Sequence, residues 1–337
     1  MDKPQVTISI PTFNRSNYLR RAIDSVLAQT FTDFELIVID AASKDDTSEV
    51  VANYTDRRIR YLRLEKDPGS VECQNLGIEL AKGEFISILH DDDMLTPLFL
   101  ERSLARITMN PKAGMVFSSV TFIDEDENAI GTEQFAKKDI SLKAPLLFRK
   151  LLRDCPIIRT PSVMIRKSCY DDIGYFETGI RCIIDWDMWL RISLKYDVEY
   201  ISMPLALYRW HAESDSLNRN LTELIAEDEF VSNKVGNLIT DASPVIQNKF
   251  KKGEKLCRSF CELRTARKYY SLCQGKETRL YLIRAVKSWP LILLKKASII
   301  LVVYLSSFLG KSIMQKLSNV KNGLVRILNL KGIQWNR

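Results

Sequence analysis

The stretch "ISILHDDDML", residues 86–95, is an apolar run that ends in His90 and three consecutive carboxylates, Asp91, Asp92 and Asp93. A short apolar run bounded by polar residues reads as a buried strand. Three like charges side by side repel one another unless something cationic sits among them. The stretch therefore predicts a strand whose carboxyl end meets a cation, and the rest of the chain has to say what that cation holds.

Working outward, "VTISIPTF" reads as a first strand and "SNYLRRAIDSVLAQT" as a helix with Leu19, Ile23, Val26 and Leu27 on one face. "FELIVIDA" and "IRYLRL" follow as strands, with a short helix over 46–54 between them. "SVECQNLGIELA" reads as a third helix, and Pro97 opens another at a position where proline is tolerated. Strands alternating with helices imply right-handed crossovers and a mainly parallel sheet covered on both faces. Ligands of such sheets bind beyond the carboxyl ends of the strands. Those ends carry Pro11, Thr12, Asn14 and Arg15, then Asp40, then the three aspartates.

Beyond Gly114 the pattern changes. "AGMVFSSVTFID", "SVMIRKS" and "VEYISMPLALYRW" read as strands and "DWDMWLRISLKY" as a helix. From about Asn218 the chain reads as helices dense in Lys and Arg. Two regions are expected, 1–217 and 218–337.

The 337 residues are 46% apolar and 27% charged, the composition of a folded protein with a sizeable core. Seven cysteines (73, 155, 169, 182, 257, 261, 273) form no CxxC pair, and there are two histidines, which argues against structural zinc and for a reducing compartment. No basic segment followed by an apolar one opens the chain, so no signal peptide is read. The longest uncharged apolar run, 297–310, is shorter than the roughly 20 residues of a membrane-spanning helix. Charge is lopsided: residues 245–337 hold 20 Lys/Arg against 3 Asp/Glu, a net of +17, and since the whole chain is +7 the first 244 residues carry −10. Three readings of the basic region stay open: an anionic membrane surface, a helical bundle with solvated charges, and, last for want of base-reading or stacking motifs, nucleic acid.

Taken in order, "PTFNR", "VIDAASKDDT", "QNLGI", "LHDDDMLTP", "DWDMWLR" and "LYRWH" resemble the motif series of family 2 glycosyltransferases over roughly residues 5–215. The resemblance implies a Rossmann-like GT-A fold, a nucleotide-diphospho-sugar donor, Mn²⁺ or Mg²⁺, and inversion at the anomeric carbon. On the matching positions it implies Asp92 as metal ligand with His211, and Asp91 as partner of the ribose or metal. Asp40 is implied to accept from the nucleobase, and Pro11, Thr12, Asn14, Arg15, Asn75 and Gly77 to line the nucleotide-sugar. Arg209 is implied to neutralise the diphosphate, and Asp185 to act as catalytic base. His90 stands where the family often has Asp, and Ile184 where it usually has Glu. The physics is consistent with this reading, because expelling a diphosphate builds negative charge that a hard, oxygen-liganded cation relieves. The family also implies a glycan or lipid-carrier-linked acceptor and a place on the cytoplasmic face of the plasma membrane. A nucleotidyltransferase and a non-catalytic relative are the competing readings.

Overall fold

Apolar residues alternate along residues 34–40 so that Leu36 and Val38 join one core and Ile37 and Ile39 another. This period of two is what a strand buried on both faces requires. The computed structural model describes residues 3–153, 158–180, 183–211, 221–272 and 274–308. Cys155, Cys182, Cys273 and the last two residues of the apolar run 297–310 lie outside them.

The first half is β1 (Val6–Thr12), α1 (Ser16–Leu27), β2 (Phe34–Asp40), α2 (Thr47–Ala52), β3 (Ile59–Arg63), α3 (Ser70–Leu80) and β4 (Phe85–Ile88). Then come β5 (Met94–Leu95), α4 (Phe99–Thr108), β6 (Ala113–Ile123), β7 (Ala129–Glu133), β8 (Ile140–Leu142) and α5 (Leu146–Leu151). β9 (Val163–Arg166), α6 (Lys167–Ile173), α7 (Ile184–Lys195) and β10 (Asp197–Arg209) complete the sheet region. One sheet runs in the order β3-β2-β1-β4-β9-β6-β10-β5, with β7 beside β6 and β8 beside β10. β3, β2, β1 and β4 are mutually parallel, and β6 and β10 are parallel to each other. β9 is antiparallel to both β4 and β6, so it is a reversed strand between two sets that point the same way. The GT-A class of mixed α/β fold expected from sequence is the one observed, with helices on both faces.

α1 and α4 bury Leu19, Ile23, Val26, Phe99 and Ile107 against one face, while α3 lies on the other, against Ile37 and Ile39. Gly77 permits that second contact: a Cβ there would come within 2.0 Å of Ser9 Oγ on β1. β2 and β4 leave β1 on opposite sides, which makes the ends of β1 and β4 the topological switch point of the sheet.

β10 is irregular around Pro204, where its register against β6 shifts. A proline cannot donate to a ladder and marks such bulges. Past the bulge β10 also pairs antiparallel with the two-residue β5, Ala206 opposite Leu95 and Leu207 opposite Met94. That short pairing sets the end of β10 directly against the three aspartates.

The described residues divide into two compact units, Met1–Leu151 with Pro156–Leu217, and Leu152–Cys155 with Asn218–Arg337. The second holds α8 (Leu221–Thr240), α9 (Pro244–Phe250), α10 (Gly253–Ser271), α11 (Gly275–Ser288) and α12 (Ile292–Ser306). It has its own core around Leu263, Leu282, Ala285, Ile300 and Val303. Among the described residues no helix is long and apolar enough to cross a membrane.

Candidate active site

Loops leaving β1 and β4 diverge at the switch point and are tied back together by side chains. Thr12 Oγ1 donates to Asp91 Oδ2 at 2.9 Å. Arg15 Nη1 spans two aspartates, 3.2 Å from Asp91 Oδ1 and 2.9 Å from Asp92 Oδ2. His211 Nε2, just past β10, reaches the same Asp92 oxygen at 2.9 Å, and its ring packs on Tyr18, centroids 5.1 Å apart. Asp93 accepts the Arg209 backbone amide at 2.9 Å and has His90 Nδ1 at 3.6 Å. His90, Asp92 and Asp93 each place one ligand atom within 4.8 Å of the others, a group able to hold a metal ion. His90 and Asp93 thus join Asp92 as candidate ligands, a role the sequence reading had given to Asp92 and His211.

The charges within this turn are unequal. Burial, and then the Asp92 charge, push Asp91 up to about 6, against the pull of Arg15 and Thr12. The same two causes raise Asp93 to about 6. Burial also works against Asp92, but the His211 hydrogen bond and the charges of His90 and Arg15 outweigh it and hold this carboxyl below the usual range. Crowding disfavours the charged form of His90, yet its contact with Asp93 and the field of all three aspartates push it up to about 9. Asp92 is the firmly ionised member, as expected where adjacent carboxylates compete for one set of cations.

The loops after β1 and β2 brace each other. Asn14, at φ +53°, a left-handed conformation that asparagine tolerates, donates its backbone amide to Ser43 Oγ at 2.9 Å. Its side-chain oxygen accepts the Lys44 amide at 2.7 Å. Pro11 and Thr12 are buried at the end of β1. Asp40 has no exposed surface: Ser43 N donates to one of its oxygens at 2.8 Å and the Tyr61 hydroxyl to the other at 2.6 Å. Both of its oxygens are thus engaged within the chain, and a nucleobase would have to displace the Tyr61 hydroxyl to reach it. Half-exposed Tyr61 and Phe13 are the aromatic surfaces beside it. Sequence reasoning passed over both, although an aromatic residue inside "PTFNR" was the available signal.

Three further residues named from the sequence are engaged within the chain. The Arg209 side chain is 0% exposed. Its donors go to the carbonyls of Asp92, Asp124 and Glu125 at 2.9–3.1 Å and to the Glu127 carboxylate at 3.2 Å. It staples the aspartate turn to the β6–β7 turn and has nothing left for a diphosphate. Asn75 donates to Phe176 O and accepts from Phe176 N, both at 2.9 Å, which ties α3 to the segment after α6. Gly77 is accounted for by its packing on Ser9.

At the start of α7 the two acids separate in role. Asp187 is buried and paired with Arg191, 2.7 Å to Nη2. Arg191 in turn holds the carbonyls of Ile173, Gly174 and Tyr175, so this pair is structural. Asp185 is partly exposed, with Oδ1 accepting the Trp186 amide at 2.7 Å. Trp186, Met188, Trp189 and Leu190, which follow it on α7, are buried. Arg159, which sequence reasoning did not single out, sits at the strand ends, with Nε 2.8 Å from Glu133 Oε2. Its guanidinium lies 5.6 Å over Phe122 and 5.3 Å over Tyr208, at the ends of β6 and β10. Burial disfavours its charge, but Glu133, Tyr208 and Asp185 hold its pKa above the ordinary value.

A mainly parallel sheet with a switch-point crevice lined by carboxylates, imidazoles and a guanidinium is the framework of a GT-A glycosyltransferase. The sequence model of glycosyl transferase family 2 matches residues 7–174. An uncharacterized glycosyltransferase of Methanocaldococcus jannaschii is 30% identical over 224 residues, 65% of this chain and 75% of the relative. One of Rickettsia prowazekii is 29% identical over 226 residues, 66% of this chain and 68% of the relative. This chain belongs to glycosyl transferase family 2. Among solved structures, S. aureus TarS 1–349 in complex with UDP-GlcNAc aligns with a TM-score of 0.66 at 14% identity, over 94% of this chain and 92% of TarS. The mannosyltransferase PcManGT of Pyrobaculum calidifontis, in complex with GDP-Man and Mn²⁺, aligns with a TM-score of 0.55 at 17% identity, over 98% and 88% of the two chains. At these identities the likeness is one of fold.

Proposed function

We propose that this chain is an inverting, metal-dependent hexosyl- or hexosaminyltransferase. In this reading it moves a sugar from a UDP-sugar to a glycan or lipid-carrier-linked acceptor in surface-polysaccharide synthesis. The observation that carries the reading is Asp92, just past a strand end, its Oδ2 shared by Arg15 and His211 at 2.9 Å each. UDP-GlcNAc in TarS supports the donor class, and Mn²⁺ in PcManGT supports the metal.

The donor set suits a divalent ion: carboxylate oxygens fit Mg²⁺ and Mn²⁺, and imidazole nitrogen inclines the choice to Mn²⁺. Asp92, with His90, Asp93 or His211, would hold it, and when bound it neutralises charge on the departing diphosphate. The remaining work belongs to the chain. Thr12 and the braced loops after β1 and β2 seat the nucleotide, and Arg15 supplies a guanidinium for the diphosphate. Asp185 takes the proton of the acceptor hydroxyl as its oxygen bonds to the anomeric carbon. The bond from that carbon to the diphosphate breaks in the same displacement, so configuration inverts and nucleoside diphosphate leaves. Ile184 is buried at the helix start, a place where an unpaired carboxylate would be costly.

Turnover of UDP-sugars, followed by release of UDP, tests this. Mn²⁺ should be required, and Asp185→Asn should lower kcat about 10²–10⁴-fold while UDP still binds. Release of pyrophosphate would point to a nucleotidyltransferase, and absence of metal-dependent turnover to a non-catalytic relative. A cytoplasmic setting and a membrane surface as partner of the basic helices complete the proposal.

A further inference from the structure

The helices of the second unit bury one apolar face and leave another exposed. α11 and α12 send Leu282, Ala285, Ile300 and Val303 into their shared core. On α12, which is kinked at Lys296, and in the turn just after it, Leu301, Leu305 and Phe308 stand at i, i+4 and i+7 and are 57%, 58% and 60% exposed. On α11, Leu280 and Ile283 are exposed on a stripe that also carries exposed Lys276 and Lys287, while Arg284 beside them is paired with Glu262 at 3.3 Å. Arg279 joins the two stripes: its guanidinium lies 4.2 Å over the Phe308 ring, and Nη1 donates to Ser307 O at 2.7 Å. A helix apolar on every side belongs in an interior or in lipid. α12, with 15 residues, is shorter than the roughly 20 that span a bilayer.

We infer that this face docks in the plane of an anionic lipid surface, with Leu280, Ile283, Leu301, Leu305 and Phe308 entering the acyl boundary and Lys276 and Lys287 meeting lipid phosphates. Charge selects this occupant over the others. A second copy placed on the face by a two-fold axis would set these cations against their own equivalents. Residues 309–337 carry six Lys/Arg and no Asp/Glu, so that segment does not neutralise the face either. An anionic bilayer accepts the apolar and the cationic groups together. The assignment rests on the proposed function in one respect, that an enzyme with a lipid-linked acceptor works at such a surface.

The test is co-sedimentation of the full chain with vesicles of phosphatidylcholine alone or with about 30% phosphatidylglycerol. Wild type should bind the anionic vesicles and lose affinity with salt. Combined Leu301→Gln, Leu305→Gln and Phe308→Gln, all exposed and so compatible with the fold, should weaken binding about tenfold or more. Lys276→Gln and Lys287→Gln together should weaken it similarly and flatten the salt dependence. Circular dichroism checks that each variant is folded. Wild-type indifference to anionic vesicles, or variants that bind like wild type, would overturn the assignment. So would a concentration-dependent dimer in light scattering that the apolar variant abolishes. UDP-sugar turnover measured without vesicles keeps the two readings apart. Vesicle binding by a chain that turns over no donor sinks the enzyme and keeps the surface; turnover without vesicle binding does the reverse.

Discussion

Arg15 already occupies the place between two aspartates that a divalent ion would contest. Its Nη1 and His211 Nε2 both lie 2.9 Å from Asp92 Oδ2, and a carboxylate oxygen has about two lone-pair directions to offer. An ion that takes this oxygen must displace one of them. Arg15 is the mobile partner, since its side chain is 24% exposed whereas His211 is buried. A guanidinium released from Asp92 faces the incoming diphosphate, which it matches bidentately. Arg15→Met should therefore have effects of opposite sign. Mn²⁺ affinity without nucleotide should rise several-fold, because a competing cation is gone. UDP affinity in the presence of Mn²⁺ should fall about 10–100-fold, the worth of hydrogen bonds to a charged group. Titration calorimetry for UDP and electron paramagnetic resonance of free Mn²⁺ read the two separately. A loss of both affinities, or of neither, would rule out the exchange.

At the scale of elements, β10 carries the site from a long way off. Its first residue, Asp197, anchors it: the Ala144 amide and Lys143 Nζ donate to its carboxylate at 2.9 Å each, and Asn110 Nδ2 at 3.3 Å. Burial acts to raise this acid, but the Ala144 amide, Lys143 and Asn110 outweigh it, so its pKa is lowered in the folded chain. A carboxyl with a lowered folded pKa adds stability that is present above the unfolded value of about 3.9 and is lost as pH falls through the folded value. Asp197→Asn should lower the melting temperature by about 2–4 °C at pH 7, and the gap to wild type should close as pH drops toward about 3; a gap independent of pH in thermal melts would show that the charge is irrelevant. The other end of β10 was harder to foresee. The alternating half, β1 through β4, was legible because buried strands and amphipathic helices print their periods on the sequence. β5 has two residues and hence no period, and β7 is exposed along most of its length. The acids at the strand ends were legible as charge following an apolar run. Whether a polar group is already spent was not: Asn75 is satisfied by a backbone 101 residues away, and Arg209 by the turn after β6.

Over the whole molecule, charge is divided between −10 in residues 1–244 and +17 in 245–337. The acidic crevice is nevertheless balanced locally, by Arg15 on Asp91 and Asp92, His90 beside Asp93, and Arg209 buried beneath the turn. Every aspartate in the turn thus has a cationic or amide partner supplied by the chain, and only Asp93 Oδ2 among their buried oxygens accepts no hydrogen bond, so the fold is expected to stand without a metal. This differs from small metal-stapled domains, in which binding free energy is folding free energy. The sheet region is large enough to be held by its own core, which runs from Val6 through Leu205 and Ala206. A chelator should then abolish UDP-sugar turnover while moving the melting temperature by less than about 1 °C, since no native contact is lost. UDP with Mn²⁺ should act in the opposite way. Ligands that bind only the folded state stabilise it by about 2.7 kcal/mol at a hundred times their Kd, which for a region of this size is a rise of roughly 5–10 °C. Differential scanning fluorimetry in EDTA, in Mn²⁺ alone and in Mn²⁺ with UDP separates these cases. A cooperative loss of structure in EDTA would mean that the ion holds the turn together and that Arg15 and His90 do not.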